Sequence, residues 1–321
     1  MSKRFSCFFL IFSLSIAIWA QSSIRLGVLK GISCAPCAYL IENKEKLAVQ
    51  NMAFQVFDSA QSELPKLLRG EINMGFLAPE NAAKVFEKTK GAVVAIGVVQ
   101  NGNFSLITNE ESYGSIEDLR GKTVLVPNEG SESIVFNYIL KKKQISVSNG
   151  FSSFDENSVF LDFSVPTANI ANNLILKKAS YAILNEPYAT IVMKNSLDCR
   201  RAEDFQKIYN EIEEWSSFPA LLLVTRADFA KENRDLVKKV VEVYKQAIDW
   251  TKKNPAKAAL FSEKHKLCIN SAVAKNAIPL SALIFREAGA AKGDIEKYLS
   301  ILIEEKFSSA PEKLPDEEFY F

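Results

Sequence analysis

Short apolar segments alternate along this chain with segments whose apolar residues recur at helical spacing. Residues 24–29, 54–57 and 73–77 predict strands, and the segments between them predict helices. The apolar runs are rich in Val, Ile and Ala and do not alternate strictly with polar residues. Such runs are typical of strands buried on both faces. The pattern therefore predicts an α/β fold with mainly parallel sheets flanked by helices.

The same pattern starts again after residues 104–108 and returns to an apolar strand at 221–225. From Asp228 onward we expect an almost wholly helical tail. Its first helix carries an apolar stripe from Leu236 to Thr251 that faces the core. We predict two lobes, with lobe 1 formed by residues 21–103 and 221–321 and lobe 2 by the inserted residues 104–220. Because the chain crosses twice between them, a hinged cleft is expected.

The N-terminus has the order of a secretory signal peptide. Lys3 and Arg4 precede an uncharged run from Phe8 to Trp19, and the small residue Ala20 follows. The run is shorter than the roughly 20 residues of a membrane span, although an uncleaved anchor helix is the alternative. We predict that residues 1–20 are removed, leaving a soluble periplasmic or secreted protein. A lipid anchor is not expected, because Cys7 lies before the apolar run.

Composition narrows the function classes further. The formal net charge of this 321-residue chain is +1, so no excess of charge points to nucleic acid. The single histidine, His265, argues against a metal site built from several histidines and against a His-based catalytic triad. We expect neither a metal nor a cofactor.

Four cysteines follow the predicted signal peptide: Cys34, Cys37, Cys199 and Cys268. In an oxidising compartment an even number predicts disulfides, and Cys34 is close enough in sequence to bridge Cys37. How Cys199 and Cys268 pair stays open. The C-x-x-C spacing also fits a secreted thiol–disulfide oxidoreductase, which is one alternative. An enzyme on the same fold is another, although its carboxylates show no catalytic spacing.

Several motifs along the chain together resemble a known family. Residues 118–124 read Asp-Leu-Arg-Gly-Lys-Thr-Val, residues 185–188 read Asn-Glu-Pro-Tyr, and Trp250 precedes Asn-Pro-Ala-Lys-Ala-Ala at 254–259. The chain resembles the solute-binding proteins of the nitrate, sulfonate and thiamine-precursor type, which have the two-lobed type II periplasmic-binding-protein fold. The resemblance implies a monomeric, non-enzymatic protein. It would capture a small molecule between its lobes and deliver it to the permease and ATPase of an ABC importer.

The resemblance also places the ligand in loops that follow strands or begin helices. The ligand-binding residues it implies are Gly31, Ile32, Ser33, Cys34, Ala78, Pro79, Glu80, Asn101, Gly102, Asn128, Gly130, Ser131, Thr167, Asn185, Glu186 and Tyr188. Helix N-termini offer free backbone N–H groups at such places. The two cysteines of the first loop depart from the family pattern.

The charges of these loops bear on the ligand. They contain Glu80, Glu129 and Glu186, whereas Lys30 is the one nearby cation that the sequence reveals. An anion would face like charge in a poorly solvated cleft, so we favour a neutral or cationic organic ligand such as a nitrogen heterocycle. A sulfonate or another anion is the alternative. Aromatic residues could supply a stacking surface: Tyr188, Phe104, Trp215 and Phe218.

Overall fold

The computed structural model describes residues 24–47, 49, 51–127, 130–148, 155–214, 216–268 and 270–321. The predicted signal peptide, residues 1–20, lies outside them. The first part of the chain alternates strands and helices: β1 (Ile24–Leu29), α1 (Ala35–Asn43), β2 (Met52–Phe57), α2 (Ala60–Leu68), β3 (Met74–Leu77), α3 (Pro79–Thr89) and β4 (Val93–Asn101). Local sequence sets several of these boundaries. Ser59 and Ser62 form a capping box at the start of α2, and Pro79 occupies the first position of α3.

The middle part of the chain repeats the alternation. Its elements are β5 (Phe104–Thr108), β6 (Thr123–Leu125), α4 (Ser131–Lys142), β7 (Ser146–Ser148), β8 (Ser158–Asp162), α5 (Thr167–Ile175), β9 (Tyr181–Asn185), α6 (Tyr188–Asn195), β10 (Arg200–Asp204) and α7 (Phe205–Ile212). β10 was not predicted, because its sequence Arg-Arg-Ala-Glu-Asp has no apolar pattern. It forms because its backbone pairs with β5 in antiparallel register.

The last part begins with a strand and continues mainly in helices. Its elements are β11 (Pro219–Arg226), α8 (Ala227–Glu232), α9 (Arg234–Lys253), α10 (Pro255–Lys264), α11 (Ser271–Ala277), β12 (Leu283–Glu287) and α12 (Lys292–Glu304). The predicted break between α9 and α10 is confirmed, with Pro255 at the first position of α10. The expectation of a helical tail is wrong at β12, where pairing with β4 fixes an edge strand.

Two sheets organise these elements. The first has the strand order β12-β4-β11-β3-β1-β2 and the second β10-β5-β9-β6-β8-β7. We call the first sheet with its helices lobe 1 and the second lobe 2. The chain crosses from lobe 1 to lobe 2 between Asn101 and Phe104, and it returns before Pro219. The division into domains at 104 and 220 stays a prediction.

The sheets are mixed rather than mainly parallel. β1 pairs in parallel with β2 and β3, whereas β11 runs antiparallel to both β3 and β4. The reason is the double crossing. β4 carries the chain out of lobe 1 and β11 carries it back beside β4, so the two strands run in opposite directions. The predicted two-lobed α/β class is confirmed.

The core of each lobe lies between its sheet and its helices. Along α9 the buried residues recur at helical spacing, as the sequence predicted, and include Val237, Val240, Tyr244, Ile248 and Thr251. Among the described residues, no helix combines the length and hydropathy that a membrane crossing requires.

Candidate ligand-binding cleft

The predicted ligand residues lie in connections at the carboxyl ends of strands in both lobes. β3 leads directly into α3, and β9 leads into α6 through Glu186 and Pro187. In α/β folds this edge of a sheet is where ligands bind, because loops and helix N-termini converge there. The polar groups of the two lobes come close enough to influence one another electrostatically, as Glu80 and Glu132 do.

The first loop is held close to lobe 1. Gly31 has φ 132°, a conformation that favours glycine, and its N–H donates to the carbonyl of Leu267 at 2.7 Å. Ile32 and Cys34 are buried, whereas Ser33 is half-buried. The loop therefore leaves Gly31 and Ser33 partly exposed and keeps its apolar side chains in the core.

Glu80 is the most unusual predicted residue. It lies in the first turn of α3, and its side chain is buried, with 6% of the residue exposed. Its Oε2 accepts a long hydrogen bond of 3.4 Å from the hydroxyl of Tyr298, which belongs to α12. Burial, reinforced by the negative charge of Glu132, raises the pKa of Glu80 to about 7. Near neutral pH this carboxyl is therefore close to half-protonated.

Lobe 2 presents a second carboxylate at the start of α4. Gly130 caps this helix in an extended conformation, and a Cβ placed on it would lie 2.6 Å from Oε2 of Glu132. Oε1 of Glu132 accepts a hydrogen bond of 2.7 Å from Nδ2 of Asn185. Of the two predicted residues, Gly130 therefore leaves room for the carboxylate of Glu132, and Asn185 holds it by a hydrogen bond. Predicted Asn128 lies outside the described residues, and Ser131 begins α4.

The crossing between the lobes is closely packed. An added Cβ on Gly102 would lie 1.6 Å from Cζ of Phe218, so only glycine fits there. Phe218 also packs against Phe104, with ring centroids 5.3 Å apart, and against Tyr298. Since Phe104 and Phe218 are buried, they form a hinge core and not the exposed stacking surface that we expected. Trp215 lies outside the described residues.

The side chain of Asn101 adds a polar atom at this crossing. Its Oδ1 is buried and has no hydrogen-bond partner among the described residues. Its backbone N–H donates to the carbonyl of Ala282 at 3.2 Å. A buried acceptor without a partner costs free energy unless a further group supplies a donor. Asn101 can therefore accept a hydrogen bond from a bound molecule.

Glu186 has a different environment from Glu80. Its buried carboxylate pairs with the guanidinium of Arg201 at 2.5 Å and accepts from the N–H of Thr190. Arg201 was missed by the sequence analysis, so the expectation that Lys30 is the one cation near these loops is wrong. Lys30 itself pairs with Asp58 on the surface.

Arg201 also lines a cavity of about 490 Å³ beside the hinge, together with Gly102, Phe104, Lys207 and Leu280. The cavity lies where β10 and α7 of lobe 2 approach the segment before β12 in lobe 1. Thr167 and Tyr188, the remaining predicted residues of lobe 2, are half-buried at the starts of α5 and α6.

The sequence matches one family over most of its length. Residues 54–258 match the family described as NMT1/THI5 like, which is more than half of the chain. The chain belongs to the NMT1/THI5-like family. No curated protein matches the sequence significantly.

Solved structures share the fold of this NMT1/THI5-like chain at low sequence identity. An ABC transporter protein from Parabacteroides distasonis aligns with a TM-score of 0.77 and 18% identity, covering 93% of this chain and 98% of its own. The periplasmic aliphatic sulphonate binding protein SsuA from Escherichia coli aligns with a TM-score of 0.71 and 12% identity, with coverage of 93% and 92%. The periplasmic nitrate-binding protein NrtA from Synechocystis PCC 6803 gives 0.59 and 13%, with coverage of 90% and 82%. The predicted family and fold are confirmed.

The cysteines of this NMT1/THI5-like chain differ from expectation. Cys34, Cys37, Cys199 and Cys268 are free thiols in the structure, and the predicted bridge between Cys34 and Cys37 is not formed. Both of these residues are fully buried. Burial, together with the neighbouring Cys34, raises the pKa of Cys37 well above its ordinary value. A redox-active cysteine needs an exposed thiolate, so this environment does not favour the oxidoreductase alternative.

Proposed function

We propose that this protein is the solute-binding component of an ABC importer and captures a small organic ligand between its two lobes. The observation that carries the proposal is the convergence of polar groups from both lobes on one cleft, with Glu80 of lobe 1 near Glu132 and Asn185 of lobe 2. Membership of the NMT1/THI5-like family supports it, as do structural neighbours whose names include sulphonate-binding and nitrate-binding proteins. A permease and an ATPase are its proposed partners. We propose that it is monomeric and has no enzymatic activity.

Contacts across the cleft support a hinge mechanism. Helix α12 of lobe 1 reaches lobe 2 through Lys297, which pairs with Glu213 at 2.6 Å. Nearby, Glu305 of lobe 1 pairs with Lys141 of α4 at 2.5 Å. Such pairs can break and re-form when the lobes rotate about the crossing at Gly102, whereas the hinge core stays packed.

Export is part of the proposal. Removal of residues 1–20 would deliver the protein to the periplasm or the outside of the cell, where an importer component acts. In that oxidising compartment Cys34 and Cys37 could still form a disulfide, which would stiffen the first loop. N-terminal sequencing of protein from the cell envelope tests export, with a start near Gln21 expected. A full-length cytoplasmic product would contradict it.

The proposal is tested by recovering the ligand. Protein purified without refolding is extracted, and the extract is analysed by mass spectrometry. The compound found is then added back at a hundredfold excess over its Kd, where we expect a gain of about 2.7 kcal/mol in the free energy of unfolding. Small-angle scattering should show a smaller radius of gyration with the ligand. Unchanged scattering and unchanged stability would contradict the proposed function.

A further inference from the structure

Glu213 is shared between the two lobes. It caps the C-terminus of α7 in lobe 2, and only 5% of its side chain is exposed. Its Oε2 pairs with Nζ of Lys297, which belongs to α12 of lobe 1, at 2.6 Å. Its Oε1 faces α4 of its own lobe, where it accepts from the hydroxyl of Tyr138 and lies 3.9 Å from Nζ of Lys142. One buried carboxylate therefore has a lysine in each lobe.

The two lysines hold Glu213 differently. The contact with Lys297 has the length of a charge-assisted hydrogen bond, whereas 3.9 Å to Lys142 is too long for one and leaves a looser ion pair. Lys142 stays beside Glu213 however the lobes are arranged, because α4 and α7 pack together within lobe 2. Its side chain is half-exposed and can move closer. In this arrangement of the lobes, Lys297 is therefore the main partner and Lys142 the secondary one.

Opening of the lobes separates Lys297 from Glu213, because the two residues are fixed to different lobes. A buried carboxylate that loses its only cation is costly, so a Glu213 without a second lysine would make the lobes resist opening. Lys142 removes this penalty, since it can move from 3.9 Å to hydrogen-bonding distance once Lys297 has left. The second lysine therefore compensates Glu213 in the open form and lowers the free energy of opening.

We propose that Glu213 exchanges lysines when the lobes move, pairing with Lys297 in the closed form and with Lys142 in the open form. The inference rests on the proposed function, since it requires lobes that open and close. Two lysines of the same charge then have opposite effects on the balance between the forms. Lys297 favours closure, whereas Lys142 favours opening although it makes no contact across the cleft with Glu213.

Two other contacts between the lobes do not involve Glu213. Lys141 of α4 pairs with Glu305 of lobe 1 at 2.5 Å, and in the described part of the chain no second lysine or arginine pairs with Glu305. This pair has no replacement partner and breaks when the lobes open, so it reports closure. A separate contact joins other helices, where Nζ of Lys194 in α6 donates to the carbonyl of Ala272 in α11 at 3.0 Å.

The experiment measures closure in the dialysed, ligand-free protein. A zero-length carbodiimide couples a lysine amine to a carboxylate only while the two are in contact. The initial rate of the cross-link between Lys141 and Glu305, followed by peptide mass spectrometry, therefore reports the closed fraction. Small-angle scattering gives the radius of gyration of the same samples. Each variant is also made together with Lys194→Met, which opens the lobes somewhat without touching Glu213, so that a gain in closure is visible even if the parent is mostly closed.

The two lysine substitutions should act in opposite directions. Lys297→Met should lower the cross-linking rate and Lys142→Met should raise it, each about two- to fivefold, with the radius of gyration changing the other way. In a Glu213→Gln background both effects should largely disappear. Lys142→Arg keeps the charge and should behave like the parent. The exposed Lys143→Met is the matched control and should change neither measurement, because Lys143 forms no ion pair with the residues that the structure describes.

The outcomes separate this inference from the proposed function. If Lys142→Met fails to raise the cross-linking rate in both backgrounds, or if its effect persists undiminished in Glu213→Gln, the exchange of lysines is overturned. The proposed function then still stands if a compound recovered from the purified protein closes the lobes. If neither the substitutions nor such a compound changes either measurement, the lobes are rigid and both proposals fail.

Discussion

Another buried carboxyl, Glu63, makes the stability of lobe 1 depend on pH. Glu63 lies on α2 and is fully buried, and its carboxylate oxygens accept from the N–H of Phe76 at 3.2 and 3.3 Å. Gly27 and Gly75 leave room for it, since a Cβ on either would lie within 2.7 Å of its Oε1. Burial raises the pKa of Glu63 to about 8, and the one backbone hydrogen bond offsets only part of that effect.

The sign of the dependence follows from the raised pKa. Below the ordinary glutamate pKa, both the folded and the unfolded chain hold the proton, and the contribution of Glu63 to stability is fully present. As the pH rises toward 8, the unfolded chain ionises while the folded chain does not. The free energy of unfolding should fall by roughly 1.4 kcal/mol per pH unit, or about 4 kcal/mol between pH 5 and pH 8, and then level off.

The variant Glu63→Gln tests this. We expect its free energy of unfolding to change much less between pH 5 and pH 8, so that the variant becomes the more stable protein at pH 8. Urea titrations of the ligand-free protein measure this. The fluorescence of Trp250, which stacks on Tyr39 and Phe261 within lobe 1, can follow the unfolding.

The difference between parent and variant isolates Glu63 from other titrating groups, Glu80 included. The exposed Glu71→Gln is the control. Hydrogen bonds from Lys66 and Arg69 hold the pKa of Glu71 below its usual range, so it titrates outside this window. If the parent and Glu63→Gln lose stability in parallel from pH 5 to pH 8, the reasoning is refuted.

Two further substitutions test the hinge and the contacts across the cleft. Lys297→Met removes one of the two lysines that pair with Glu213, the other being Lys142. Burial raises the pKa of Glu213, but the hydrogen bonds from Lys297 and Tyr138 outweigh it and hold that pKa below its usual range. Because Lys297 is half-exposed, the loss of attraction between the two lobes should be modest, about 1 kcal/mol. We expect a larger radius of gyration and an affinity for the ligand that is lowered about fivefold. Lys275 is exposed and forms no ion pair with the residues that the structure describes, so Lys275→Met should show neither change. An equal change in both variants would contradict the role of the pair. Gly102→Ala places a methyl group into Phe218 and should cost about 2 kcal/mol or more in the free energy of unfolding, measured by urea titration. Gly289→Ala, which meets no atom within 4 Å, is its control, and equal stability of the two variants would show that the hinge core yields easily.

Much of the fold could be predicted from the local pattern of apolar residues. Residues such as Val28 and Phe76 are buried because strands covered on both faces must be apolar throughout, and that requirement is visible in the sequence itself. The stripe on α9 was equally readable, since its burial repeats with the helical period. β10 and β12 were missed because what makes them strands is pairing with distant neighbours, β5 and β4.

The candidate site, like the fold, has features that follow from local sequence and features that depend on distant contacts. The sequence by itself determined which loops would lie at the carboxyl ends of the strands, because strand and helix order follows from local patterns. It could not determine which charges would meet there. Tyr298 reaches Glu80 across 218 positions of sequence, and Arg201 neutralises Glu186 from a strand without an apolar pattern. Such contacts depend on how two lobes and a C-terminal helix pack together. Only the tertiary structure therefore decided that Glu186 pairs with Arg201, whereas Glu80 meets no cation among the described residues.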